Sequence, residues 1–171
     1  FYWYEGMLGN GMSKDGNIDA GGAGGKYAAN ASRNYPVQVI KEDGKPLTGI
    51  VYIAAGGNAT YAVDKDGFVW SWGDNQHAQL GHVDANGDPI KLWISIYDKN
   101  WYQWGISVSN RSSSVARRVG RGAQATGAGA GEDVYLHNII RVAAGYETAY
   151  ALDANGNVYA WGSDFMGELG I

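Results

Sequence analysis

Three histidines, His77, His82 and His137, supply all the imidazole in the chain, and cysteine is absent. His77 and His82 stand near one another, as a metal pair could, but no third ligand follows at a spacing that zinc sites use. Both are expected as surface-loop histidines, and the sequence points to no metal and no cofactor. Asp64, Asp66 and Asp153 are the carboxylates that acid–base chemistry would want. Each stands in a turn signature, where an Asp bonds its own backbone. Asp84-Ala85-Asn86-Gly87-Asp88 looks like the start of a calcium loop, but no Glu closes it about twelve residues in, so it reads as a turn. The Gly-Gly-Ala-Gly-Gly run at 21–25 has neither the Lys nor the strand-to-helix setting of a phosphate cradle. It reads as a linker. No nucleophile elbow is present. The expectation is a protein that is not an enzyme.

Other residues point to binding. Asn30, Asn58 and Asn110 head glycosylation acceptor triplets. Asn30 and Asn110 fall in loops open to modification in a secretory host, whereas Asn58 begins a strand. The aromatic load is heavy, with 7 Trp and 12 Tyr. Trp70, Trp72, Tyr159 and Trp161 are expected to pack inside the fold. Trp93, Tyr97, Trp101, Tyr102 and Trp104 exceed what a two-stranded hairpin can bury. Clusters of this kind anchor protein partners or sugar rings.

The elements that must position these residues repeat. Moved along by 89 positions, the stretch Ile50–Gly81 falls on the C-terminal stretch without a gap. Ala54, Ala55, Gly56, Tyr61, Ala62, Asp64, Gly67, Val69, Trp72, Gly73, Leu80 and Gly81 meet identical residues, among them Gly145, Gly156, Trp161, Gly162, Leu169 and Gly170. Self-similarity at a fixed period marks a repeat architecture. Each copy reads as short strands. Ile50–Ile53, an apolar run, suits a strand buried on both faces. Thr60–Val63 and Phe68–Trp72 follow, joined through Asp64-Lys65-Asp66-Gly67, where Gly accepts the positive φ of a hairpin loop. Phe68, Trp70 and Trp72 share one face of the third strand, with Val69 and Ser71 on the other.

Pro-Val-Gln-Val, the Ala-Ala-Gly strand, the Asp-Gly turn, the aromatic-x-Trp-Gly strand and the Leu-Gly close together resemble the repeat of the regulator of chromosome condensation family. The likeness covers roughly 35–81 and 136–171, with Met7-Leu8-Gly9 as a fragment. It implies an all-β fold of β-propeller blades, here a partial propeller carrying an inserted β-hairpin and Gly-rich loops. The family often has a His where Ala59 and Thr148 stand, and a Gly where Ala78 stands. The family name alone implies nucleotide exchange on a small GTPase.

Residues 1–9 read as the tail of a preceding repeat and 35–81 as the first full repeat. Residues 82–114 read as an inserted loop and hairpin, and 115–171 as the second repeat. Tyr35–Ile40 is expected as an edge strand because of Pro36. Val115–Val119 holds the place that Pro-Val-Gln-Val held earlier, and residues 90–109 are expected to turn at Asp98-Lys99-Asn100. A net charge of −4 without basic blocks argues against a nucleic-acid surface, and no apolar run reaches the roughly 20 residues of a membrane span. The function expected is a binding or assembly module at the cell surface or outside the cell. Its protein partners would be flanking repeats of a longer chain or further copies in a ring or filament. Carbohydrate binding by the hairpin aromatics is the alternative.

Overall fold

A computed structural model describes residues 6–11, 35–84, 86–88, 112–122 and 134–170. The seven strands of these residues are β1 (Ile50–Gly56), β2 (Ala59–Asp64), β3 (Val69–Asp74), β4 (Ser112–Arg118), β5 (Ile139–Ala144), β6 (Thr148–Asp153) and β7 (Val158–Gly162). They form two antiparallel sheets, one in the order β1-β2-β3-β4 and one in the order β5-β6-β7. The architecture is all-β, two blades of β-propeller type. The hairpin expected at 90–109 lies outside the described residues.

The two sheets have the same register. Ile50 pairs with Asp64 and Ile139 with Asp153, each followed by an irregularity one residue on, while Thr60 faces Trp72 as Ala149 faces Trp161. The turns explain why. Asp64 Oδ1 accepts the amides of Asp66 and Phe68 at 3.0 Å, and Asp153 Oδ1 accepts those of Asn155 and Asn157 at 2.9 and 2.8 Å. Gly67 and Gly156 take the left-handed conformation there, with φ of 83° and 89°. A side chain that ties two turn amides to one oxygen holds the strands in register.

The blades pack face to face, β5 lying across β1 and β2. The core between them joins Tyr61, Val63, Val69, Leu80 and Val119 of the first blade to Leu136, Ile139, Val142, Ala149 and Ala151 of the second. A smaller cluster on the outer face of the first blade holds Leu47, Ala62, Trp72 and Ala116, with Val39, Ile50 and Trp70 against it. The third strand thus splits as its alternation requires, Val69 and Ser71 toward the second blade and Trp70 and Trp72 away from it. The close approach of the sheets depends on Gly56, where a Cβ would lie 2.6 Å from the carbonyl oxygen of Ala144.

Three expectations change. β1 is not buried on both faces: Val51 and Ile53 are 65% and 61% exposed, because only the opposite face meets β5. Phe68 lies just outside the third strand, and its carbonyl closes the turn by accepting the Asp64 amide at 3.0 Å. Tyr35–Ile40 is not a strand; only Ile40 and Lys41 make bridges, to Pro46 and Ala116. The equivalent stage of the second repeat shows the reason. There Ser112–Arg118 pairs with β3 and closes the first blade, whereas Pro36–Val39 has no third strand beside it among the described residues. The blade therefore takes its last strand from the far side of the insertion.

Among the described residues, Ala78 and Asn138 are those other than glycine at positive φ, 62° and 60°. Asn adopts this region readily; Ala pays in sterics, on the order of 1 kcal/mol. The equivalent of Ala78 in the second repeat is Gly167, with φ of 77°. Ala78→Gly is therefore expected to stabilise the protein by at most roughly 0.5 kcal/mol after the added freedom of the unfolded chain is counted. Urea midpoints of the variant and the parent measure this.

Candidate functional site

The chemistry of the described residues concentrates where the second blade meets the Leu-Gly close of the first. Residues 75–81 form a tight double turn, fixed by bonds from the Leu80 amide to Asn75 Oδ1 at 2.9 Å and from the His77 amide to Gln79 Oε1 at 2.7 Å. The turn presents the buried carbonyl of Gln79 to the second blade. Tyr61 donates its hydroxyl to it at 2.7 Å, and Trp161 of the other blade donates its indole N–H at 2.8 Å. The two rings meet edge to face, with centroids 6.0 Å apart, the preferred arrangement for aromatic pairs. Gly81 makes room, since a Cβ there would stand 2.9 Å from the indole nitrogen. Burial, and then the charge of Asp74, push the Tyr61 phenol well above its ordinary range. Tyr61 stays protonated and stays a donor.

Ser71 and His82 form a buried pair beside this turn, 2.9 Å from Oγ to Nε2. A serine and a histidine at that distance suggest a nucleophile and its base, but the proton is committed elsewhere. Ser71 Oγ donates to the Leu80 carbonyl at 2.7 Å, which leaves His82 Nε2 as the donor. The pair is a brace that joins β3 to the turn. His82 is thus no surface-loop histidine; it is 8% exposed. Burial first, then the nearby Arg117, lower its imidazole to about 3, against a raising bond with the Ser71 backbone. Its neutrality follows from its place behind the Leu-Gly close, and a lone His in the sequence gave no sign of that. His77 is partly exposed and reaches Glu147 of the second blade at 3.3 Å. His137 lies beside the Phe68 ring.

The remaining candidates sort as follows. Asp64 Oδ2 accepts the Trp70 indole N–H at 2.8 Å, and Asp153 Oδ2 accepts from Asn157 and Tyr159 at 2.9 and 3.2 Å. Both carboxylates hold turns. Asp84 does the same for Asn86 and Asp88. Among the described residues no three His, Cys, Asp or Glu side chains gather as a metal site would need, and no helix is long and apolar enough to cross a membrane. Phe68, Trp70 and Tyr135 surround a cation, but it is the chain's own Arg118, 4.1 to 5.4 Å from the ring centroids. Trp93, Tyr97, Trp101, Tyr102 and Trp104, with Asn30 and Asn110, lie outside the described residues. Trp72, Gly73, Trp161 and Gly162 fall at matched positions in the two sheets.

This geometry defines a class, repeat proteins whose blades lock through an indole and a Leu-Gly turn. Residues 50–79 and 139–168 match the Regulator of chromosome condensation (RCC1) repeat. Those two stretches are repeats similar to those of the regulator of chromosome condensation family. It is 29% identical over 114 residues to the guanine nucleotide exchange factor SRM1 of Saccharomyces cerevisiae, a match covering 67% of this chain and 22% of that protein. The chain thus spans about a fifth of that relative. Among solved structures it is similar to yeast RCC1 (Prp20), seen bound to Kap60, at 27% identity and a TM-score of 0.41 over 70% of this chain and 20% of that one. Human WBSCR16 shows 20% identity and a TM-score of 0.36, over 66% of this chain and 19% of its own.

The buried histidine sets an acid response. Between its ordinary value near 6.5 and its folded value of about 3, the unfolded chain binds a proton at His82 that the folded chain refuses. Stability from this group is complete above about pH 6.5 and falls on acidification, by at most about 1.4 kcal/mol per pH unit. Asp153, held low chiefly by the Asn157 side chain, adds a second loss only below about pH 4. Thermal midpoints from pH 7 to 4.5 should fall for the parent and flatten for His82→Gln.

Proposed function

We propose that this chain is a protein-binding β-propeller module that works by docking partner proteins rather than by making or breaking bonds. One observation carries the reading. The face of the second blade corresponding to the covered face of the first is open: Val69 is fully buried, whereas its equivalent Val158 is 68% exposed. Phe165, Met166 and Tyr146 on the same blade are 85%, 79% and 68% exposed. Large apolar side chains left exposed on one blade of a folded protein favour a place where another protein sits. A photo-crosslinking residue at Phe165, introduced in the protein's own cells, is expected to capture a discrete protein partner. The same residue at Lys65, and the Phe165 probe combined with Val158→Asp, are expected to capture none. Equal capture at both positions contradicts the reading.

A second reading is nucleotide exchange on a small GTPase, favoured by the match to SRM1. Release of a fluorescent GDP from such a GTPase, accelerated at least about tenfold by the chain, supports it; an unchanged rate excludes it.

A further inference from the structure

We infer that Asp74, at the end of β3, binds one small monovalent metal cation, sodium or potassium. The site is separate from the docking surface proposed above.

The charge lies inside the protein. Asp74 is 6% exposed, and its amide donates to the Asn58 carbonyl at 2.9 Å, which fixes the backbone. Its Oδ2 accepts the side-chain amide of Gln79 at 3.1 Å. The far end of that amide settles its orientation, because Gln79 Oε1 accepts the His77 N–H at 2.7 Å. Oδ1 is buried too, and among the described residues no donor reaches it. A carboxylate oxygen withdrawn from water without a donor or a cation is strongly destabilising, so it calls for a partner.

The chain's own cations are placed elsewhere. Arg117 and Arg118 stand opposite Ser71 and Trp70, whereas Asp74 pairs with Ser112 at the other end of β4. Arg117 reaches Glu42 at 3.0 Å, and Arg118 lies over the rings of Phe68, Trp70 and Tyr135. Lys41 and Lys45 reach Asp43, and Lys65 reaches Asp66.

The turn itself does not require the charge. Ser163 holds the matching place in the second repeat, and its amide makes the equivalent bond, to the Glu147 carbonyl at 3.0 Å. The carboxylate of that turn is Glu168, at the place of Gln79. It is exposed and accepts the Met166 amide at 2.7 Å. Only the first turn carries its charge inside.

Charge and enclosure say what fits. One carboxylate balances one positive charge, whereas calcium gathers several carboxylates. Zinc and its neighbours need a set of His, Cys, Asp or Glu ligands that the described residues do not assemble. The nearby Asn58 carbonyl and Gln79 amide offer neutral oxygen, the donor that hard cations take. At 6% exposure the carboxylate is closed to a lysine or arginine of another protein.

Thermal midpoints of the whole chain in sodium, potassium and choline chloride at one ionic strength test this. Sodium or potassium should raise the midpoint over choline by about 3 °C or more, and the larger rise names the ion. Asp74→Asn should lose the difference. So should Asp74→Ser, which brings in the residue that the second repeat already folds with. Crystals grown with thallium(I) in place of the favoured ion should show anomalous density against Asp74 Oδ1. Equal midpoints in the three salts, a difference that survives both variants, or a water in the ion's place overturns the proposal. A larger rise with millimolar calcium, lost in the same variants, overturns the choice of a monovalent ion.

Discussion

One carbonyl oxygen, that of Gln79, carries the joint between the two blades. It is buried and needs partners, because a backbone acceptor left unpaired away from water costs roughly 1–3 kcal/mol. Tyr61 from the first blade and Trp161 from the second supply them. Tyr61 meets part of this demand within the first blade, and the indole of the second blade meets the rest across the joint. The apolar core around it, with Leu80 and Val69 fully buried, supplies non-directional attraction. The shared oxygen fixes where on that face the second blade must stop.

The positions that recur between the copies are those on which this joint depends. Gly81 clears the indole, Leu80 plugs the core, and Asn75 and Asp164 hold equivalent turns with different side chains. Asp64 and Asp153 fix the hairpins that deliver Trp72 and Trp161 in matched register. Side chains on other surfaces are free to differ, as Tyr52 and Arg141 do where they stack across the blades at 4.8 Å.

Much of this was legible in the residues. The positive φ at Gly67 and Gly156, the turn roles of Asp64 and Asp153, and the alternation of Val69 and Ser71 against Trp70 and Trp72 all follow from local chemistry that a short window contains. What was not legible depends on tertiary neighbours. Ile50–Ile53 is apolar throughout, and nothing in four letters says that only one face will find a partner. His82 reads as a loop residue until Ser71, on the strand before the turn, closes over it. The strand at Ser112–Arg118 joins a sheet from which the insertion separates it, so adjacency in sequence misplaced its partner. Ala78 was visible as a departure from the family pattern, but its left-handed backbone was not.

Hydrogen exchange at the Trp161 indole nitrogen tests the joint most directly. If the Gln79 carbonyl couples the blades, that N–H opens only when the whole structure does. Its exchange should then report the same free energy as the amides of β2, with the same dependence on denaturant. Exchange of the indole through a local opening, orders of magnitude faster while the β2 amides stay protected, would contradict it and leave two blades that merely touch.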